Sequence, residues 1–160
     1  MSASYMIALD AMGGDNAPAI VVKGADLARR RFPDIRFRMF GDEARIMPLI
    51  ARRKRLREIT EIVHTDNVIS SDMTVSVAIR KGRQSSMQLA IDAVRDGEAQ
   101  GIVSAGNTGA LMAMAKLSLR TLPGIHRPAI AAIFPSIRGE SVMLDLGANA
   151  VSYTHLTLPT

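Results

Sequence analysis

The chain has no cysteine and no tryptophan, and aromatic residues make up only 4% of its 160 residues. Without cysteine there can be no disulfide, no thiolate zinc site and no cysteine nucleophile, and a reducing cytoplasm becomes the default compartment. So few aromatics argue against reading bases by stacking, and no nucleic-acid partner is expected. No apolar run approaches the roughly 18 residues that a membrane span requires. Residues Met1 to Tyr5 carry neither a basic region nor a long apolar one, so no signal peptide is expected. The three histidines, His64, His126 and His155, lack metal-ligand spacing, and no metal is expected. Neither a G-x-G-x-x-G nor a G-x-x-x-x-G-K-[ST] pattern occurs, so no nucleotide cofactor is indicated.

What is present is ordinary globular material, 48% apolar and 22% charged. Such a composition excludes disorder, and the length suits one domain. The net charge of +5 is unevenly spread. Between Arg29 and Arg57 stand eleven basic residues against three acidic ones, a local charge of +8. A patch of this kind is either a solvated helix face or an attractant for a polyanion. Arg52, Arg53 and Arg55 are its densest part.

The pattern alternates strands and helices. Met6 to Leu9 reads as a strand, and Pro18 opens a helix reaching Arg31 with an inward stripe of Ile20, Val21, Gly24, Leu27 and Ala28. Phe37 to Phe40 is a second strand. Asp42 caps a helix to about Arg53 that Pro48 must kink or split. Ile59 to Val63 is a third strand, and Val75 to Ile79 a short helix ended by Gly82. Ser85 or Ser86 caps the next helix, closed by Gly97. Ile102 to Ser104 is a strand followed by a helix from Ala110 to Leu119. Two more strands, Ala129 to Phe134 and Val142 to Leu146, turn at Pro135 to Gly139. This order predicts a three-layer α/β/α sandwich with a mostly parallel sheet.

Ligands of open α/β sheets bind beyond the carboxyl ends of the strands. Three such ends are rich in glycine and short polar residues: 10–16, 104–109 and 145–149. Glycine lets the backbone approach a ligand, and the helix N-terminus downstream offers unpaired N–H groups and a positive dipole end. Three loops at one sheet edge make an anion site suited to phosphate. Ser104, Asn107 and Thr108 add neutral donors. Asp10 and Asp15 flank the first loop as turn formers or as orienting groups. Ser86 is a cap or a phosphate ligand, and Arg127 a solvated residue or an anion clamp. Met112 and Met114 read as core fillers, or as a flexible slot for an acyl chain.

These residues carry a resemblance. Ile7-Ala8-Leu9-Asp10-Ala11-Met12-Gly13-Gly14-Asp15-Asn16-Ala17-Pro18 is similar to the N-terminal signature of the bacterial phosphate acyltransferase family. Its members are the acyl-carrier-protein–phosphate transacylases of phospholipid synthesis. Ser86-Met87, Val103-Ser104-Ala105-Gly106-Asn107-Thr108-Gly109-Ala110, Arg127-Pro128-Ala129 and Leu144-Asp145-Leu146-Gly147-Ala148-Asn149 continue the match in order. The resemblance implies a fold like the isocitrate and isopropylmalate dehydrogenases and phosphate acetyltransferase. It implies that orthophosphate attacks the thioester of a long-chain acyl carrier protein, giving acyl phosphate and the free carrier thiol. A membrane acyltransferase then uses the acyl phosphate to acylate glycerol 3-phosphate. It also implies a homodimer, cytoplasmic and peripherally associated with the membrane, with no cofactor. On this reading Asp15, Asn16 and Asn107 are the catalytic residues. Asp10, Gly13, Gly14, Ser86, Ser104, Ala105, Gly106, Thr108, Gly109, Arg127 and Asn149 bind substrate or phosphate. Arg52, Arg53 and Arg55 dock the acidic carrier.

Family members are considerably longer. Residues 1–150 read as the N-terminal portion of the catalytic domain, and 151–160, with three threonines in ten and no charge other than a histidine, as a non-native tail. The 160-residue chain is therefore expected to be truncated and inactive by itself. Two other classes fit parts of the pattern. One is a phosphate acetyl- or butyryltransferase using coenzyme A thioesters. The other is a non-enzymatic basic α/β module that binds an anionic surface.

Overall fold

The computed structural model describes residues 4–123, 128–137 and 139–144. The chain divides into two compact units, Met1–Arg120 and Thr121–Thr160. The first holds four strands, β1 (Tyr5–Asp10), β2 (Ile35–Gly41), β3 (Thr60–His64) and β4 (Gly101–Val103). Its helices are α1 (Ala19–Arg31), α2 (Glu43–Ala51), α3 (Lys54–Arg57), α4 (Val75–Lys81), α5 (Ser86–Arg95) and α6 (Thr108–Leu119). The strands form one sheet in the order β3-β2-β1-β4, and every pairing is parallel.

Strand alternation decides the layers. Leu9 pairs with Met39 and Ile7 with Phe37, so these four side chains share a face. Leu9, Phe37 and Met39 pack there against Val22 and Ala25 of α1, Ile46 and Ile50 of α2 and Leu56 of α3. Ala8 and Phe40 lie on the opposite face against Ala90 and Ala93 of α5. A further cluster of Ile69, Ala78, Met87, Ile91, Ala110 and Met114 joins α4, α5 and α6. Each fully buried aliphatic side chain contributes about 1.5–3 kcal/mol, so these clusters hold the layers together. The three-layer parallel architecture expected from the sequence is present, and no helix among the described residues is long and apolar enough to cross a membrane.

Several expectations shift. The buried residues of α1 are Val22, Ala25 and Asp26; Val21 and Ala28 of the expected stripe pack half-buried against the same core, whereas Ile20 and Leu27 are 49% and 53% exposed. Buried Asp26 is paired there with Arg29, Arg30 and Arg53. Helix α2 runs through Pro48 to Ala51, and α3 follows as a separate turn. Asp42 does cap α2, its Oδ1 accepting from the Ala44 and Arg45 amides at 2.9 and 3.3 Å. The second unit contains β5 (Ala131–Ser136) and β6 (Gly139–Leu144), an antiparallel pair with a sheet of its own. The turn falls between Ser136 and Gly139, within the expected 135–139, and β5 extends through Pro135 to Ser136.

Candidate functional site

The carboxyl ends of β1 and β4 are neighbours in the sheet, so the loops that leave them meet. Gly13 and Gly106 make the meeting possible. A Cβ on Gly13 would stand 2.9 Å from the Gly106 nitrogen and 2.5 Å from Asp10 Oδ2, closer than any real side chain approaches. Gly14 adopts φ of +99°, a left-handed conformation that glycine enters without steric cost.

Asp10 is the hub beneath these loops. It is 2% exposed at the last position of β1. Ser86 Oγ donates to its Oδ1 at 2.6 Å, and Ser104 Oγ donates to its Oδ2 at 2.6 Å. The Met12 amide adds a bond to Oδ1 at 3.3 Å. One carboxyl group thus joins strand β1, the start of α5 and the loop after β4. The division of labour between two adjacent serines follows from geometry. Ser85 caps α5, its Oγ accepting from the Gln88 amide at 3.2 Å. That leaves the Ser86 hydroxyl, at the first helical position, to reach Asp10.

These bonds sort the site residues anticipated from the sequence. Ser86 and Ser104 each carry one hydroxyl proton, and both donate it to Asp10. Ser104 Oγ also accepts from the Gly106 amide at 3.1 Å. Asn107 caps α6, its Oδ1 accepting from the Ala110 amide at 3.0 Å. Its Nδ2 faces the carbonyl oxygens of Met73 at 2.9 Å, Ser71 at 3.1 Å and Ser70 at 3.5 Å. Asp10, Ser86, Ser104 and Asn107 therefore form the frame. Asp15, Asn16, Ala105 and Thr108 are exposed around it, and Gly14 and Gly109 are half-buried. Arg127, Asn149 and the 145–149 loop lie outside the described residues.

Sequence reading overlooked the segment between β3 and α4. Together with Met12, Gly14, Asp15, Ala105 and Gly106, residues 68–71 line a cleft of about 410 Å³. Ile69, 5% exposed, anchors this segment in the core, and Thr65 ties its start to the turn before α5 by donating to the Gln84 carbonyl at 2.6 Å. Asp72 sits at its tip. A hydrogen bond from the Ser70 side chain and one from its own backbone amide lower its pKa. No repeated spacing marks this stretch, because it meets Asn107 through backbone carbonyls.

The basic patch is partly neutralised. Asp26 pairs with Arg29 at 2.7 Å, Arg30 at 3.0 Å and Arg53 at 3.9 Å. Burial works to raise the pKa of Asp26. The hydrogen bonds and charges of Arg29 and Arg30 outweigh it and hold the carboxyl below its usual value. Arg53 also donates to the Leu49 carbonyl at 2.6 Å, so it secures the α2–α3 corner, while Arg52 and Arg55 stay exposed. Arg38 bridges Glu61 and Glu98. Asp42, His64 and Asp66 approach one another at the surface. There Asp42 caps α2 and His64 Nδ1 accepts from the Glu43 amide, which occupies them within the fold. Met114 is core, packed with Ile69 and Met87.

Residues 5–157 match the family described as "Fatty acid synthesis protein". A protein of Rhodospirillum rubrum named phosphate acyltransferase is 63% identical over 150 residues, covering 94% of this chain and 43% of the relative. Phosphate acyltransferases of Rhodospirillum centenum and Azorhizobium caulinodans are 60% and 59% identical, over 93% of this chain and 42% of each relative. The chain thus spans well under half the length of the curated relatives it matches.

Proposed function

The chain belongs to the fatty acid synthesis protein family, and from that premise we propose that the whole protein is a phosphate acyltransferase acting on long-chain acyl carrier protein. An oxygen of orthophosphate attacks the thioester carbonyl carbon. The carbon–sulfur bond breaks, acyl phosphate is released, and the proton lost by phosphate ends on the carrier sulfur. Because phosphate is the nucleophile, no side chain need be acylated, which suits a chain without cysteine.

The observation that carries this reading is the contact of two glycine loops at one sheet edge, braced from below by Asp10. Bracing leaves the exposed Thr108, the backbone N–H groups that open α6 and the Gly14 backbone available to an anion. Fixed donors of this kind hold phosphate beside the thioester and stabilise the oxyanion that develops in the tetrahedral intermediate. Asp15 and Asn16, exposed on the first loop, orient the reactants. Arg52 and Arg55, which stay free of the Asp26 cluster, receive the acidic carrier, with Arg53 holding the corner beneath them. The whole protein is a homodimer that works at the membrane surface from the cytoplasm, and its acyl phosphate enters phospholipid synthesis. The 160-residue chain by itself is inactive.

One assay tests the proposal. Thiol release and acyl-phosphate formation are followed with acyl carrier protein or coenzyme A thioesters, in the 160-residue chain and in a protein of the relatives' full length. The expected result is phosphate-dependent thiol release from acyl carrier protein by the longer protein alone, with a carrier KM that rises with salt. Turnover confined to coenzyme A thioesters would reassign the substrate, and no turnover with either would overturn the proposal.

A further inference from the structure

Asn107 spends both of its N–H donors on protein. An amide side chain offers two N–H donors and one carbonyl oxygen. The oxygen caps α6, and the nitrogen serves carbonyls of a segment more than thirty residues earlier, Met73 and Ser71 in good geometry and Ser70 at the limit. Aspartate at this position would supply the cap and lack any donor, and serine would keep one O–H in place of two N–H donors. Glutamine would reach further but cap poorly. Of the common N-cap residues only asparagine does both jobs at once.

The fastened segment is one wall of the cleft. Ser70 and Ser71 line it together with Gly14, Asp15 and Gly106. Its start is anchored by the buried Ile69. Among the described residues, the side-chain hydrogen bonds that hold 70–73 from outside it all come from Asn107. We propose that Asn107 is a positioning residue: its amide fastens residues 70–73 across the glycine loops, so that Ser71 lines the anion's site and Asn107 does not touch the anion. The identity of the anion as phosphate rests on the acyl-transfer reading above. The fastening rests on hydrogen bonds alone.

Asn107→Ser and Asn107→Asp separate the two roles, because both keep an oxygen to cap α6 and both lose the two amide N–H donors, the shorter serine keeping a single O–H. Amide exchange and inorganic phosphate titrations are read by NMR on the 160-residue chain. The Met73 amide, which bonds the Ser70 carbonyl at 3.2 Å, should exchange about tenfold faster in both variants. The Ala110 amide should keep its protection and so report an intact helix. Phosphate-induced shifts at Gly14, Ser71 and Gly106 should require about tenfold more phosphate. Unchanged Met73 exchange would overturn the fastening. Faster Met73 exchange with an unchanged phosphate titration would overturn the segment's place in the site. A parent chain whose Gly14 and Gly106 signals ignore phosphate would overturn the anion site in this chain, and the thiol-release assay would then judge the acyl-transfer reading independently.

Discussion

Asp10 shows how one side chain can decide the shape of a site it does not line. Its two oxygens draw Ser86 and Ser104 to within 2.6 Å from positions 76 and 94 residues away in the chain. Removing them leaves two hydroxyls and the Met12 amide without their buried partner, and each orphaned group costs about 1–3 kcal/mol. Asp10→Ala should therefore lose about 3 kcal/mol of stability in urea denaturation, within the range expected for a broken buried network. Gly13→Ala attacks the same hub sterically, since the new methyl would stand 2.5 Å from Asp10 Oδ2 and 2.8 Å from Ser104 Oγ. It should cost about 1–3 kcal/mol as overpacking. A Gly13→Ala variant as stable as the parent would show that the loops are not in contact. Sequence alone made Asp10, Gly13 and Ser104 visible as loop residues at strand ends. It did not pair Asp10 with Ser86, because that bond depends on which of two adjacent serines takes the cap.

At the scale of elements, α1 is the instructive case. Its apolar positions allow more than one inward stripe, and periodicity alone chose one that holds the half-buried Val21 and Ala28 but also the exposed Ile20 and Leu27. The folded helix buries Asp26 instead, where Arg29, Arg30 and Arg53 converge, and so joins α1 to the corner between α2 and α3. Arrangements of this kind are illegible in a hydrophobic pattern, since a charged residue counts against burial until its partners are known. The depressed pKa of Asp26 gives the test a sign. A carboxyl that is more acidic in the folded state adds stability above its unfolded value, near 3.8. That contribution is lost as pH falls through the lower folded value. Denaturation midpoints followed from pH 6 downward should fall in the parent below about pH 4. Asp26→Asn should show a shallower decline over the same window. An identical acid limb in the two proteins would mean that the arginines do not act on Asp26 in solution.

For the molecule as a whole, alternation of short apolar runs with helical stripes was enough to predict a parallel three-layer sandwich, because buried parallel strands have few other solutions. The antiparallel direction of β5 and β6 follows from the short turn read between them, because parallel neighbours need a crossover of about a dozen residues; what the pattern did not carry is that the two form a sheet of their own. Within the first unit, β4 is an edge strand of three residues, paired on one side by β1. Beside it an apolar trough of about 450 Å³ runs along β1 and α1, lined by Ile7, Leu9, Ile20, Val21, Phe37 and Val103. Val103 is 59% exposed and Ile20 49%. An exposed apolar trough next to a strand edge that has no partner among the described residues favours association, and a net charge of +5 opposes it only weakly at physiological salt. The 160-residue chain should therefore bind an apolar fluorescent dye and scatter light increasingly with concentration. Val103→Lys places a charge on the edge itself, the device by which sheets resist edge-to-edge pairing. It should reduce both signals at least about twofold while leaving the circular dichroism spectrum unchanged. If Val103→Lys and Ile20→Lys both leave dye binding and scattering at parent levels, the trough is covered in solution, and the self-association must come from the second unit.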